Sequence, residues 1–501
     1  MNGKVGIGLF ILMLGSTWYL LLEEVGVRGY LSLLLTLSLM IIGFSIFLEN
    51  RHPIQTITWI IVFGGFPIIG FIFYFLFGRN FRKERKFQKK YFLDKHDFLK
   101  SPDDAKYDIR KKRGVETRHR KLFSFIEKLG NSPMSFATKT TILTNGKETY
   151  STILKELMNA KHHIHLEYYI VRDDDIGGAF KDVLIQKANE GVRVRFLYDA
   201  VGCWSLARSY IDELKHGGVE IVPFGPIKFP FLKSTFNFRN HRKILIIDGS
   251  VGFIGGLNIG DEYLGLNKNF GFWRDTHLMV EGEAVRTLQL IFLQDWYYST
   301  NRSFLTDDYL CTSQSLQPDL GGVQMLAGGP DNRRTVIKDL FFTMITSAEK
   351  SIWIASPYFI PDDDIFQALK VAALSGLDVR LLVPKNPDKR IVFHASMTYF
   401  SELLEAGVRV FQYDTGFMHS KIVIVDGELA SIGSSNIDMR SFHLNFEVNA
   451  FLYHTESTQT LVEDFLKDLE VSNELRFDVF SNRHLGLKVL ESTCRLLSPL
   501  L

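Results

Sequence analysis

The sequence predicts an α/β protein: two homologous α/β/α lobes with pseudo-twofold symmetry, preceded by an N-terminal transmembrane helical region. Three observations predict it. The chain beyond residue 140 is written twice, loosely but recognisably. Within each copy, β-branched apolar runs alternate with helical stretches, the pattern of a largely parallel or mixed sheet covered by helices. Ahead of both copies, residues 5–22, 31–48 and 54–77 carry no charge at all.

Those three runs come first in the chain. Each reaches the ~20 residues that a helix needs to cross a ~30 Å hydrocarbon layer. A cleavable signal peptide competes for 5–22, but Leu-Glu-Glu follows it rather than small residues. A retained span is therefore expected there. The stretch "GRNFRKERKFQKK" follows the third run and sets seven cations against Glu84. Positive flanks stay on the cytoplasmic side, so the lobes are expected in the cytoplasm of a multi-pass cell-membrane protein. The same cations suit anionic lipid head groups, although a stop-transfer flank alone explains them.

Composition narrows the partners. In 501 residues the formal net charge is only +2, so no global basic field points to nucleic acid. Cys203, Cys311 and Cys494 are widely spaced and offer neither a disulfide framework nor a metal cluster. That agrees with a reducing compartment.

The repeat organises the rest. "AKHHIHLEYYIVRDDDIG" from Ala160 resembles "AEKSIWIASPYFIPDDDI" from Ala348. In both, a strand-like run ends in three aspartates that open a helix, where an acidic side chain caps free N–H groups. "GVRVRFLYD" from Gly191 matches "GLDVRLLVP" from Gly376, and "GVEIVPF" from Gly218 matches "GVRVFQY" from Gly407. The period is far too long for a solenoid. The expected boundaries are a membrane region at 1–78, a basic linker at 79–140, and lobes at 141–325 and 326–501. The first lobe carries an aromatic and basic insertion at 226–236, either a plain surface loop or a lipid-facing rim.

The strongest signal closes each copy: "HRKILIIDGSVGFIGGLN" from His241 and "HSKIVIVDGELASIGSSN" from His419. A lone His-x-Lys means little. Twice over, with Asp248 and Asp426 five residues after each Lys, then glycines and Asn258 and Asn436, it is not chance. Strand alternation puts His241 and Lys243 on one face, and likewise His419 and Lys421. Two lysines and two amides converging make a cationic donor cluster, which repels a metal and attracts an oxyanion, most naturally a phosphate. Two histidines beside it can divide the work: one, neutral, attacks phosphorus; the other, protonated, supplies a proton to the departing oxygen. The motif glycines let the backbone approach the ligand closely, and Gly256 and Ser435 join Asn258 and Asn436 as candidate phosphate-binding residues. A carboxylate behind each imidazole would fix its tautomer, and Asp275 and Glu447, each downstream of a motif, are the candidates, with an ordinary salt bridge as the competing reading.

The paired motif resembles that of the phospholipase D superfamily, over most of the chain after about residue 140. The resemblance implies phospholipase D-like lobes, a covalent phosphohistidine intermediate and no metal or other cofactor. It also implies His241 as nucleophile and His419 as general acid and then base; among the catalytic candidates Asp248 and Asp426 rank below the His and Lys, since the resemblance gives them a structural leaning. The leader "ENRHPIQTITWIIVFGGFPIIGFIFYFLFGR", with "GGLNIGDEYLG", "FWRDTHL", "SPYFIPDDD" and "DMRSFHLNFEVNAF", is similar to bacterial cardiolipin synthases of the Gram-positive type. That narrower resemblance implies phosphatidyl transfer between two phosphatidylglycerol molecules, giving cardiolipin and glycerol. A hydrolase of the same superfamily and a catalytically silent membrane scaffold remain as alternatives, and self-association into a homo-oligomer is left open.

Overall fold

The computed structural model describes residues 117–498 except 131, 227–236, 268–270, 305–306, 311–320 and 333, plus scattered helical positions between 29 and 62. Almost all of the three apolar runs, the basic stretch after them, nearly all of the 226–236 insertion and Cys311 lie outside the described residues. Among the described residues no helix is long and apolar enough to cross a membrane. The chain divides into Met1–Asn80 with Phe231–Ser234, and Phe81–Pro230 with Thr235–Leu501. Apart from 231–234, both lobes belong to the second unit.

Helix α1 (Thr117–Gly130) lies in the stretch expected as linker. Its Leu122, Phe123, Ile126 and Leu129 recur at helical spacing and are buried in one core with Leu340 and Phe451. A continuous apolar face gives that part of the stretch a reason to pack, and α1 is thereby part of the second lobe's outer layer.

The first lobe runs β1 (Thr138–Thr144), α2 (Asn145–Asn159), β2 (His163–Tyr168), α3 (Asp175–Asn189), β3 (Arg193–Asp199), α4 (Arg208–His216), β4 (Glu220–Phe224), β5 (Ile244–Ile247), β6 (Val251–Gly255), β7 (Phe272–Arg274), β8 (Thr276–Gly282) and α5 (Ala284–Thr300). The second runs β9 (Gly322–Gly328), α6 (Val336–Thr346), β10 (Ser351–Ala355), β11 (Phe359–Ile360), α7 (Asp363–Leu374), β12 (Asp378–Pro384), α8 (Arg390–Glu405), β13 (Arg409–Tyr413), β14 (Gly416–Met418), β15 (Ile422–Val425), β16 (Leu429–Gly433), β17 (Ile437–Asp438), β18 (Glu447–Tyr453), α9 (Glu456–Glu470) and β19 (Ser472–Glu474). Strand β9 begins just before the expected lobe boundary and pairs with β18 in the second sheet.

The two sheets repeat one topology. The first is ordered β1-β8-β6-β5-β2-β3-β4; the second, read in the same sense, is β9-β18-β16-β15-β10-β12-β13-β19. In each, the βαβ stretch gives three parallel strands, and the motif strand joins them antiparallel. Alternation decides which way each side chain goes. Ile244 and Ile246 enter a core shared with Ile422 and Ile424 of the other lobe. Leu245 and Ile247 face the first lobe's own outer helices. Val423 and Val425 do the same in the second lobe. The inner faces of both sheets therefore line one common core, which is what draws the two motifs together.

The aspartate clusters act as caps. Asp174 accepts from the Gly177 N–H at the start of α3, and Asp362 from the Ile365 N–H at the start of α7.

Candidate functional site

Each motif strand ends in a three-residue loop opened by its aspartate. Asp248 (φ 52°) and Asp426 (φ 56°) are left-handed, a conformation that Asp tolerates, and the following Gly249 and Gly427 are left-handed too. Asp248 accepts the backbone N–H groups of Lys161, His162 and His163 at 2.8, 2.7 and 2.8 Å. Asp426 accepts those of Glu349, Lys350 and Ser351 at 2.9, 2.7 and 2.8 Å. Both carboxylates are spent on tying the loop to the start of the neighbouring strand. The structure does not bring these two residues to the histidines, despite their place in the motif.

At the other end of the motif strand the lobes interlock. Strand β14 pairs with β7 across the lobes, and the His419 N–H then donates to the Arg274 carbonyl at 2.7 Å. Reciprocally, Asn240 bridges to Phe446, and the His241 N–H donates to the Phe446 carbonyl at 2.9 Å. The residues after Arg274 and Phe446 are Asp275 and Glu447. The interlock thus sets each histidine against the other lobe's carboxylate. His419 donates through Nδ1 to Asp275 Oδ2 at 2.6 Å; His241 donates through Nδ1 to both Glu447 oxygens at 3.0 Å. With Nδ1 committed, Nε2 is the nitrogen left for chemistry.

Both carboxylates are fully buried. Burial pushes each toward the neutral form, but the Lys421 charge and His419 outweigh it at Asp275, and His241 and Lys243 outweigh it at Glu447, so both end below their usual values. Ser434 adds a 2.5 Å hydrogen bond to Glu447. In the first lobe Gly256 stands at that place, and a Cβ there would come 2.0 Å from Asp275 Oδ1. Only glycine allows the shorter carboxylate to lie that close.

The lysines are held alike. Lys243 Nζ donates to the His241 carbonyl at 2.6 Å, and Lys421 Nζ to the His419 carbonyl at 2.5 Å. Burial lowers Lys243 to about 7 and Lys421 to about 8, with the buried carboxylates pulling the other way. Burial likewise lowers His241 and His419 to about 4, with Glu447 and Asp275 opposing it. The charge of Lys421 acts on His241 and Lys243 as well as on His419. The two motifs therefore form one electrostatic cluster. Its state is poised for an anion: a phosphodiester brought against these groups raises all four proton affinities.

The motif amides sit behind the cluster. Asn258 accepts from the Ile170 N–H and donates to the Tyr263 hydroxyl at 3.1 Å each. Asn436 donates to Asp438 at 3.0 Å. Ser435 bonds to the Asn436 carbonyl and does not touch Glu447; its neighbour Ser434 does. Several neighbours escaped the motif reading. The Tyr169 ring stands edge-on 4.8 Å from His241, and Trp273 stands 4.9 Å from His419. Arg242, the variable residue inside the first motif, forms a buried ion pair with Asp295 and donates to the Glu447 carbonyl at 3.1 Å. The available signal for that anchor was a charge at Arg242 where the second motif has Ser420.

Residues 153–296 and 341–469 match the family described as cardiolipin synthase, PLD-like domain, and residues 35–79 match the phospholipase D-nuclease N-terminal family. A curated cardiolipin synthase of Geobacillus sp. (strain WCH70) is 58% identical over 99% of this chain and 98% of its own length. One from Halalkalibacterium halodurans is 58% identical over 100% of both chains. The crystal structure of phosphatidylserine synthase from Haemophilus influenzae Rd KW20 shares the fold, with a TM-score of 0.57 at 17% identity over 76% of this chain and 100% of that one.

Proposed function

The chain belongs to the phospholipase D-like family of cardiolipin synthases, and from that premise we propose that it is a phosphatidyltransferase joining two phosphatidylglycerol molecules into cardiolipin and glycerol. The observation that carries the mechanism is the crossed pairing of His241 with Glu447 and His419 with Asp275.

His241 Nε2, neutral because burial keeps its affinity for protons low, attacks the phosphorus of the first lipid. The bond from phosphorus to glycerol oxygen breaks, and His419 delivers its Nε2 proton to that oxygen. Glu447 stabilises the positive charge that develops on the His241 ring. The substrate anion raises His419 enough to carry the proton, with Asp275 behind it. The terminal hydroxyl of a second phosphatidylglycerol then attacks the phosphatidyl-His241, His419 takes its proton, and the phosphorus–nitrogen bond breaks. Lys243 and Lys421 hold the phosphate oxygens throughout; Asn258, Asn436, Gly256 and Ser435 shape the wall behind them. A positioned general acid supplies roughly 10²–10⁴ in rate.

The lobes act from the cytoplasmic face of the cell membrane, anchored by spans at about 5–22, 31–48 and 54–77. The uncharged runs and the cations that follow them support this placement. The expected domain limits, 1–78, 79–140, 141–325 and 326–501, follow the same reading.

Radiolabelled phosphatidylglycerol in vesicles tests the reaction. Cardiolipin with equimolar free glycerol is expected. Phosphatidic acid as the sole product would replace transfer with hydrolysis.

A further inference from the structure

Two buried arginines stand directly behind the two imidazole–carboxylate pairs. Arg242 follows His241 in the chain. Its Nε donates to the Glu447 carbonyl and its Nη2 to the Gly328 carbonyl, each at 3.1 Å, while Nη1 pairs with Asp295 of α5. His241 thus grips the Glu447 side chain, and its neighbour grips the same residue's backbone. Arg274 precedes Asp275. Its own carbonyl accepts the His419 N–H at 2.7 Å, and its Nη1 donates to the Asp275 carbonyl at 2.7 Å and to the Thr276 hydroxyl at 3.0 Å. That hydroxyl lies 2.9 Å from the hydroxyl of Ser420, the residue after His419. Nε of Arg274 meets both oxygens of Asp468, in α9, at 2.9 Å. One arrangement is therefore built twice from different parts: a helix aspartate, an arginine, and the carbonyl of the carboxylate that faces a histidine.

We propose that Arg242 with Asp295, and Arg274 with Asp468, are positioning pairs that each serve one histidine and so one step, the first pair the attack of His241 on phosphorus and the second the proton exchange at His419. Burial gives the aspartates their part. Arg242 and Arg274 are only 2% and 3% exposed, and a buried guanidinium stripped of its counter-charge is strongly destabilising. The planar fork gives the arginines theirs, since one side chain can face a carboxylate along one edge and a carbonyl along another. At Asp468 burial pushes the carboxyl up, and the Arg274 charge opposes it. Each pair acts through the carboxylate it holds: a small displacement of Glu447 or Asp275 turns the imidazole hydrogen-bonded to it away from its line of reaction. Both ties also cross between the lobes, Arg242 to Glu447 and Arg274 to Asp468. The assignment rests on the roles that the phosphatidyl-transfer reading gives the two histidines, and adds the residues that hold each role in place.

The test is single-turnover adduct formation by the full-length protein in vesicles, from phosphatidylglycerol and from a phosphatidyl nitrophenyl ester, whose leaving group needs no proton. Arg274→Lys keeps a charge opposite Asp468 but lacks the fork. It is expected to slow the glyceryl reaction about tenfold, the scale of one hydrogen bond to a charged group, and to leave the nitrophenyl reaction unchanged, so the nitrophenyl-to-glyceryl ratio rises by the same factor. Arg242→Lys is expected to slow both reactions alike and keep the ratio at its wild-type value. Asp468→Asn and Asp295→Asn should repeat these two patterns. An unchanged ratio in Arg274→Lys overturns the proposal, and so does a raised ratio or a wild-type rate in Arg242→Lys. Loss of the nitrophenyl reaction in Arg274→Lys overturns it too, because that pair would then hold the fold and not one histidine. If the wild-type adduct yields only phosphatidic acid, the transfer reading has failed, and the two pairs still stand or fall on the same ratios.

Discussion

The first and second lobes agree where the backbone must be held and differ where atoms react. Strand order is common to both, as are the aspartate with its three N–H groups and the lysine folded onto its own histidine's carbonyl. Around the imidazoles the match ends. Glu447 with Ser434 faces one histidine, and Asp275 over Gly256 faces the other. Arg242 in one motif is Ser420 in its partner, and that serine hydroxyl contacts Thr276 at 2.9 Å. Symmetry joins the two motifs in one cluster; its local failure surrounds two identical imidazoles with unequal partners.

The largest expected effect tests that division directly. His241→Ala should abolish both turnover and the covalent phosphatidyl adduct. His419→Ala should slow turnover by roughly 10²–10⁴, yet still trap an adduct from a lipid whose leaving group needs no proton. An adduct surviving in His241→Ala would reverse the roles of the lobes.

Acid separates the lobes next. Burial lowers His163, His241, His277 and His419 to about 4, and the first three belong to the first lobe. Their affinities lie below the unfolded value near ~6.5, so the unfolded chain binds more protons between those limits. Stability is full above about pH 6.5 and falls as pH drops toward about 4. Hydrogen exchange across that window should show first-lobe amides losing protection earlier; simultaneous loss would remove the distinction.

The carboxylates sharpen the comparison further. Glu447→Gln should slow adduct formation and Asp275→Asn should slow leaving-group protonation, each by about a hundredfold, because each supports the opposite lobe's histidine. Single-turnover kinetics with leaving groups of differing basicity separates the two. The smallest expected difference is between Asp248→Ala and Asp426→Ala. Each removes three charge-assisted hydrogen bonds, so losses of about 3 kcal/mol are expected from denaturant titration, equal within error.

The sequence displayed the duplication, the two His-x-Lys motifs and the caps, because these are periodic or local. It nominated Asp275 and Glu447 by nearness to their own motifs, and they do lie at the histidines. Their exchange between lobes was not legible, since it arises from the interlock of β7 with β14 and of Asn240 with Phe446. Asp248 and Asp426 look chemical in a motif and turn out to hold backbone, a distinction that spacing alone cannot make. Helix α1 was hidden in a charged stretch whose apolar face, among the described residues, finds its partners in the second lobe's core.

The exchange of carboxylates between halves has a consequence for the chain as it is made. Synthesis runs from the N-terminus, so His241 leaves the ribosome long before Glu447 has been translated. A nascent first half owns an imidazole with nothing to steer it and an Asp275 with no ring to serve. Reactivity toward phospholipid can begin only once the last quarter of the polypeptide has folded home, so an unfinished chain spares the lipid around it.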